Sequence, residues 1–172
     1  MTELNGNLNT SRTILRKYTD LDREAFALLF TDKEINFYMG GEHCETMEDA
    51  YNLFDKCFDI YEGKLFPGRY FEIWAVEFEN KYTGHVELKQ SDNTTGIEVE
   101  AVYLIDKNHQ GKGLMTEILN ELNEYTKRSG KKMIATVNPE NKKSVRVLVK
   151  TGIEKEEWIT EGEDKFYKIW IK

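Results

Sequence analysis

A short loop with two glycines is the stretch of this sequence best suited to binding a charged ligand. It runs from His109 to Met115 (HQGKGLM), and Gly111 and Gly113 lie on either side of Lys112. Because glycine has no Cβ, the backbone of such a loop can approach an anion closely. The spacing is neither that of a P-loop nor that of a dinucleotide fold, and similar residues also occur in ordinary surface turns. The loop therefore predicts either a phosphate site or a structural turn.

The elements on both sides of the loop favour the phosphate site. Upstream, Glu98 to Ile105 (EVEAVYLI) is rich in β-branched and aromatic residues, which is typical of a strand. Downstream, apolar residues recur at helical spacing: Leu114, Ile118, Leu119, Leu122 and Tyr125. A helix that begins at the loop presents unpaired N–H groups and the positive end of its dipole. A phosphate or pyrophosphate is the ligand that suits such a helix end.

Composition limits the classes of protein that remain. With 172 residues and 40% hydrophobic residues, the chain is long and apolar enough for one globular domain. The formal net charge of -7 argues against a nucleic-acid partner. No apolar run has membrane-spanning length and the N-terminus is polar, so no membrane association is expected. Cys44 and Cys57 lack the spacing of a metal site, and we interpret them as free thiols of a cytoplasmic protein without a metal.

The first third of the chain predicts one strand and two helices. Residues 1–12 are polar and expected to be flexible, and Thr13 to Arg16 is the first strand. Thr19 or Asp20 can cap a helix whose inner side would carry Leu21, Ala25, Leu28 and Leu29. Thr46 and Asp49 resemble a capping box at the start of a second helix. We interpret the apolar stripe of that helix as core: Met47, Tyr51, Phe54, Phe58 and Tyr61.

The rest of the chain predicts a meander of three strands followed by two strand–helix units. The meander covers residues 70–79, 85–88 and 98–105. After the loop and its helix, which Gly130 would end, come a strand at 132–137 and a helix at 144–150. Residues 158–159 and 166–171 are the closing strands. The order β-α-α-β-β-β-α-β-α-β implies a parallel pair of strands inside a mixed sheet.

Four stretches resemble one protein family. Gln110 to Met115 resembles the Q/R-x-x-G-x-G/A signature of the GNAT acetyltransferases, although Met115 stands where Gly or Ala is usual. Residues 32–40 (DKEINFYMG), 74–86 and 137–152 are similar to the branch that includes the ribosomal-protein N-terminal acetyltransferases, which we term the Rim-type branch. The resemblance implies an α/β, single-domain GNAT fold over residues 13–172. That fold is a mixed twisted sheet with a central splayed parallel pair, flanked by helices.

The resemblance implies that acetyl-CoA is the cosubstrate and indicates which residues bind it. The pyrophosphate would accept hydrogen bonds from the loop backbone, at Gln110, Gly111, Lys112, Gly113, Leu114 and Met115. Val102, Tyr103 and Leu104 align with the strand whose backbone pairs with the pantetheine arm, and one N–H there would polarise the thioester carbonyl. Asn138 and Asn141 match polar contacts to the pantetheine and sulfur end; Asn141 is equally suited to cap a helix.

The catalytic residues are predicted from the same resemblance and from proton chemistry. An alkyl amine is protonated near neutral pH, so a carboxylate must accept a proton before or during attack. Glu100 aligns with a catalytic glutamate of many relatives; Glu98, Glu72 and His85 are weaker candidates for the base, and a solvated strand carboxylate is the alternative. Leu148 stands where many relatives carry a tyrosine that protonates the departing thiolate. Ser144 matches a serine of the Rim-type branch that contacts the sulfur, or it is a first-turn helix residue.

The function predicted from these residues is N-acetylation of a primary amine by direct attack on acetyl-CoA. The acceptor would be a peptide N-terminus or a small amine, and the protein a monomer or homodimer. We further expect the carboxylates of Glu72, Glu87, Glu98 and Glu100 to gather near the splay and attract a cationic acceptor. The alternatives are an acetyl-CoA sensor without catalysis and a structural domain without a ligand. The early helices and the loops at 40–45 and 63–69 would shape the acceptor pocket.

Overall fold

An eight-stranded mixed sheet is the centre of the computed structural model, which describes residues 6–39, 44–162 and 164–172. Within those residues the strand order is β1-β2-β3-β4-β5-β6-β8-β7. The strands are β1 (Leu8–Asn9), β2 (Thr13–Arg16), β3 (Phe71–Phe78), β4 (Lys81–Lys89), β5 (Glu98–Ile105), β6 (Lys132–Val137), β7 (Ile153–Glu161) and β8 (Asp164–Ile171). Neighbours are antiparallel except β5 and β6, which form the predicted parallel pair. The predicted α/β fold class is confirmed.

In the part of the chain that the structure describes, two pairs of helices cover the two faces of the sheet. They are α1 (Arg23–Thr31), α2 (Met47–Tyr61), α3 (Leu114–Arg128) and α4 (Lys142–Thr151). The capping box of Thr46 and Asp49 opens α2 as predicted. Gly130 follows the end of α3 with a φ of 68°, a conformation that glycine adopts without strain. In the described residues, no helix is both long and apolar enough to cross a membrane.

The alternation of β5 divides its side chains between two cores. Val99 and Ala101 belong to the core under α3 and α4, together with Leu119, Leu122 and Trp74. Leu104 belongs to the core under α1 and α2, which contains many aromatic rings, among them Tyr18, Phe26, Phe30 and Phe54. The predicted stripe of α2 also packs there. The even-numbered residues from Glu98 to Leu104 therefore face the side of α1 and α2.

The inner side of α1 differs from the sequence prediction. Leu21 and Leu28 are 93% and 59% exposed, while Phe26, Ala27, Leu29 and Phe30 are buried. The cause lies before the helix, where Thr19 caps a 3-10 turn over Asp20–Asp22. Asp22 is held there by Arg16, whose Nη1 lies 2.7 Å from its carboxylate. The turn places Asp22 inside and Leu21 at the surface, and this orientation sets which side of α1 faces the core.

The parallel pair separates towards its C-terminal end. Pairing joins Glu98, Val99 and Glu100 to residues 132–134, and no pairs between the two strands follow in the described sheet. From Ile134 onwards β6 pairs with β8. On its other side β5 remains paired with β4 as far as Ile105. This geometry confirms the predicted splay and leaves the edge of β5 after Glu100 open on the side of β6.

The described part of the N-terminal segment lies against the sheet and α3. Leu8–Asn9 pair with β2, although residues 1–12 were expected to be flexible. Arg12 lies next to the glycine loop, and its Nε lies 2.9 Å from Glu117 on α3. The segment therefore contributes contacts close to the predicted phosphate site.

Candidate active site

A cleft of about 1870 Å³ opens where β5 and β6 separate. One wall comes from α1, α2 and the loop at 65–71, and the other from the first turns of α3 and α4. The predicted site residues Glu100, Tyr103, Gly111 and Ser144 all line it. The splay is the reason for the cleft, because separated strands leave room that a continuous sheet would fill.

The glycine loop has the conformation that a phosphate cradle requires. Gly111 and Gly113 have φ angles of 76° and 78°, in the left-handed region that favours glycine. Gly113 is the N-cap of α3. No described residue accepts a hydrogen bond from the backbone N–H groups of residues 111–116. These donors, with the helix dipole behind them, can hold an anion.

The side chains of the loop point in different directions. Met115 is 5% exposed and packs in the core, so the residue that departs from the family signature leaves the cradle open. The Nζ of Lys112 lies 5.9 Å from the centre of the Phe78 ring, and Lys112 O accepts a bond from Arg12. Lys143 on α4 instead donates to Gln110 Oε1 at 2.9 Å. Lys143 and Arg12 are thus cations beside the loop that the sequence prediction missed.

The first turn of α4 is held by asparagines. Asn141 is its N-cap, with Oδ1 accepting from the N–H of Ser144 at 3.2 Å. Asn138 Oδ1 accepts from the N–H of Glu140 at 2.9 Å. These bonds match the capping alternative for Asn141, while both asparagines also line the cleft. Ser144 is a first-turn residue whose Oγ lies 2.5 Å from the hydroxyl of Tyr103. Leu148 is buried in the core.

Glu100 is the glutamate of β5 that lines the cleft. It is 5% exposed, and its two oxygens accept hydrogen bonds from Ser91 and Thr136, one on each side of the splay. Hydroxyl donors keep a carboxylate oriented while leaving each oxygen a second lone pair. Nothing in the sequence between Ser91 and Thr136 signals this arrangement, which depends on the sheet pairing.

Glu98 lies on the same face but is part of an ion pair. Lys168 Nζ lies 2.9 Å from one oxygen, and the Trp170 indole donates to the other. Partial burial alone would raise the pKa of Glu98, but the hydrogen bonds from Lys168 and Trp170 lower it to about 2. Glu98 is not among the residues that line the cleft. The geometry therefore favours Glu100 over Glu98 as a proton acceptor.

The expected gathering of four carboxylates is wrong. Glu72 pairs with Leu88 across the hairpin, whereas Glu87 pairs with Ile73, so the two glutamates lie on opposite faces. Glu72 is fully buried under α3 and accepts bonds from the Tyr125 hydroxyl at 2.8 and 3.0 Å. Glu72 is not among the residues that line the cleft, so the geometry does not support it as the base.

Glu87 does line the cleft, but its charge is compensated. Its carboxylate lies 2.9 Å from His85 Nε2 and 3.0 Å from Lys89 Nζ. Burial opposes ionisation, yet hydrogen bonds from His85 and Lys89 lower the pKa of Glu87. The other ring nitrogen of His85 is bonded to the Tyr18 hydroxyl at 2.5 Å. His85 also lines the cleft, but both of its ring nitrogens are hydrogen-bonded, so the geometry favours a structural role.

The acceptor side of the cleft is rich in apolar rings, a feature that the sequence prediction missed. The rings include the half-exposed Phe66 and the exposed Phe37, together with Phe30, Tyr38, Tyr70 and Phe71. Phe66 has a φ of 55° and its ring lies 5.1 Å from that of Phe71. Of the two loops expected to shape this pocket, residues 44, 65, 66 and 69 line it. Residues 40–43 of the other loop lie outside the described residues.

Comparison with known proteins agrees with this geometry. The family model described as "Acetyltransferase (GNAT) domain" matches residues 12–154. The chain therefore belongs to the GNAT acetyltransferase family, and its activity is that of an acetyl-CoA-dependent acyltransferase. The cleft fits this cosubstrate, because the loop offers free N–H donors and the splay offers an unpaired strand edge.

Three relatives illustrate the similarity. An uncharacterized N-acetyltransferase, YoaA of Bacillus subtilis, is 28% identical over 87% of this chain and 83% of its own. The structure of Mycobacterium smegmatis RimJ, in complex with CoA-disulfide, has a TM-score of 0.74 at 16% identity, covering 96% of this chain and 85% of its own. That of Vibrio cholerae spermidine N-acetyltransferase, in complex with CoA and spermine, has a TM-score of 0.71 at 23% identity, covering 94% and 95%. At these identities, the two solved structures show the same fold as this chain.

Proposed function

We propose that this protein transfers the acetyl group of acetyl-CoA to a primary amine by direct attack, without an acyl-enzyme. The observation that carries the proposal is the position of Glu100, a buried carboxylate held by two hydroxyls in the cleft at the splay. There it can accept a proton from an amine that approaches the open edge of β5, directly or through one water. A general base of this kind contributes about 10²–10⁴-fold to the rate.

The cosubstrate would lie along the elements already described. The N–H groups of residues 111–116 hold the pyrophosphate, and Lys143 and Arg12 add positive charge beside it. The pantetheine arm pairs with the edge of β5 at Val102, Tyr103 and Leu104, where β6 has turned away. A backbone N–H of that edge donates to the thioester oxygen and stabilises its developing charge.

The acceptor is an amine on an apolar group, in a peptide N-terminus or a small molecule. The rings of Phe30, Phe37, Phe66 and Phe71 support this choice, since aromatic walls favour apolar surface. The compensated charges of Glu87 and Glu98 argue against the strong attraction of a cation that we expected. A cytoplasmic setting is consistent with the free thiols of Cys44 and Cys57.

The test is release of CoA thiol from acetyl-CoA in the presence of a panel of amines. The panel contains matched pairs that differ in one feature, an apolar or a charged group next to the primary amine. Mass spectrometry of the acceptor must show the added acetyl group. We expect turnover of the apolar amines in both the peptide and the small-molecule sets. In at least one of the two sets the rate of turnover should be high. Acetyl-CoA binding without turnover of any amine would instead identify an acetyl-CoA sensor.

A further inference from the structure

A hydrogen bond joins β5 to the first turn of α4 beside the splay. The hydroxyl of Tyr103, on β5, lies 2.5 Å from Ser144 Oγ, in the first turn of α4. Both residues line the cleft, and no other described residue bonds to the Ser144 hydroxyl. One turn further along α4 stands Leu148, which is buried and has no polar group. The phenol that bonds to Ser144 therefore belongs to Tyr103 on β5, because α4 has no phenol at Leu148.

We propose that Tyr103 is a positioning residue, whose hydroxyl donates to Ser144 Oγ and directs the serine proton towards the sulfur of acetyl-CoA. This inference rests on the proposed function. A serine hydroxyl has one proton and two lone pairs. When Tyr103 donates to one lone pair, the serine proton is free for another acceptor, and the two bonds strengthen each other.

The protonation of Tyr103 agrees with its role as the donor. Burial raises the pKa of Tyr103, and although the bond to Ser144 acts in the opposite direction, the value is about 12. The phenol therefore keeps its proton at neutral pH. Its ring packs against the core under α3 and α4, which fixes the direction of the hydroxyl.

The chemical step balances without a proton from the tyrosine. The amine nitrogen forms a bond to the acetyl carbon, the C–S bond breaks, and the sulfur leaves with the electron pair. One amine proton passes to Glu100 and then to solvent. A free alkyl thiol has a pKa of about 8.5, so the thiolate is a moderate leaving group that a hydrogen bond from Ser144 stabilises. Water later protonates it, and Tyr103 remains a neutral phenol throughout.

The first test uses bound CoA and does not need turnover. The ultraviolet absorbance of the thiolate, followed against pH, reports the pKa of the CoA thiol on the protein. We expect this pKa to lie below that of free CoA, to rise by about 1 in Tyr103→Phe, and to rise at least as far in Ser144→Ala. The double variant should match Ser144→Ala, because both groups act through one bond. An unchanged thiol pKa in Tyr103→Phe, or additive effects, would overturn the proposal.

The second test is kinetic and has a matched control. Tyr103→Phe should lower kcat about tenfold, the effect of about 1.4 kcal/mol, with little change in KM for acetyl-CoA. Tyr51→Phe removes another phenol hydroxyl, which donates to Glu24 at 2.6 Å outside the cleft, and should leave kcat unchanged. Equal kcat values in Tyr103→Phe and wild type would contradict the role of Tyr103. Absence of amine turnover in the wild type would overturn the proposed function alone, since the thiol titration still decides the role of Tyr103.

Discussion

Lys168 Nζ lies 2.9 Å from Glu98 Oε2, and this ion pair crosses from β8 to β5 over the strand between them. The Trp170 indole donates to the second oxygen of Glu98. One of the two glutamates on this face thus stabilises the sheet, while Glu100, two residues further, remains at the cleft. The alternation of β5 predicts the same face for both glutamates, but Glu98 bonds to Lys168 and Trp170 whereas Glu100 bonds to two hydroxyls.

The Glu98 ion pair predicts a pH-dependent loss of stability. The pKa of Glu98 is about 2 in the folded protein, and an unfolded glutamate titrates near 4.3. Because the folded pKa is the lower one, the ion pair stabilises the fold above about pH 4.3 and its contribution is lost as the pH falls towards 2. Glu98→Gln should cost about 2–3 kcal/mol of unfolding free energy at pH 7 and less at pH 3.

Urea unfolding of Glu98→Gln and wild type at both pH values measures this difference. Glu154→Gln is the matched control, because Glu154 forms a more exposed ion pair with Lys132 at 3.0 Å and should contribute little. A difference between Glu98→Gln and wild type that is the same at pH 7 and pH 3 would argue against the ion pair as its cause.

Glu100→Gln should affect the chemical step. Glutamine keeps the size of the side chain but cannot accept a proton, so kcat should fall by about 10²–10⁴ at neutral pH. The loss should become smaller at high pH, where more of the amine is already neutral. A pH–rate profile with calorimetric titration of acetyl-CoA separates catalysis from binding. A Glu100→Gln enzyme within a few-fold of wild type at pH 7 would exclude this role.

Local signals explain why the loop, its helix and most strands were predicted correctly from the sequence. These signals are close together in the sequence: β5 ends shortly before Gly111 and α3 begins shortly after it. The splay was also expected, but only through the family resemblance. The closing strand β7 is longer than predicted, since Glu154 to Glu157 (EKEE) carry charge that hides a strand at the sheet edge.

Contacts between distant residues were not predictable in this way. Alternation shows which side chains of one strand share a face, but the pairing between strands decides which faces coincide. The prediction therefore placed Glu72 at the cleft, whereas in the structure it lies on the other face and accepts a bond from Tyr125, 53 residues away. The error at Leu21 has the same origin, because Arg16 fixes Asp22 and the phase of α1. The bond between Tyr103 and Ser144 likewise spans 41 residues.

Replacing Gly111 by valine should weaken acetyl-CoA binding at least tenfold, or roughly 1.4 kcal/mol. The φ of 76° at Gly111 strains any side chain, and no described atom lies within 4 Å of an added Cβ, so the side chain would enter the space of the ligand. Gly130→Val is the control, since Gly130 has a φ of 68° with equally open surroundings at the far end of α3. Calorimetry should show weaker binding only in Gly111→Val; equal affinities would identify an ordinary turn.

Removing the exposed ring of Phe37 should weaken recognition of the acceptor. The Phe37 side chain is 74% exposed and lines the cleft, so Phe37→Ser should leave the unfolding free energy nearly unchanged. Loss of its apolar contact should lower kcat/KM for apolar amines several-fold, with acetyl-CoA affinity intact. Leu21→Ser, at a 93% exposed leucine outside the cleft, should change neither quantity. Equal kcat/KM in both variants would remove the ring from the acceptor site.

Gly84 sets the position of the strand edge that the pantetheine arm would use. It pairs with Ile105, and a Cβ added to Gly84 would lie 2.5 Å from the carbonyl oxygen of Leu104. That contact is with backbone, so β5 itself must move at the end where it has no partner on the side of β6. Gly84→Ala should therefore cost about 1–3 kcal/mol of stability and displace the edge.

The displacement predicts a specific pattern of binding. If the arm of acetyl-CoA pairs with the backbone of Val102 to Leu104 as proposed, Gly84→Ala should weaken acetyl-CoA binding. It should not weaken binding of a nucleotide fragment of CoA that retains the pyrophosphate and lacks the arm. Gly111→Val should weaken binding of both ligands, because the loop would hold the pyrophosphate that they share. Calorimetric titration of both variants with both ligands gives the four affinities. If Gly84→Ala binds acetyl-CoA as tightly as the wild type, the edge of β5 is not where the arm lies.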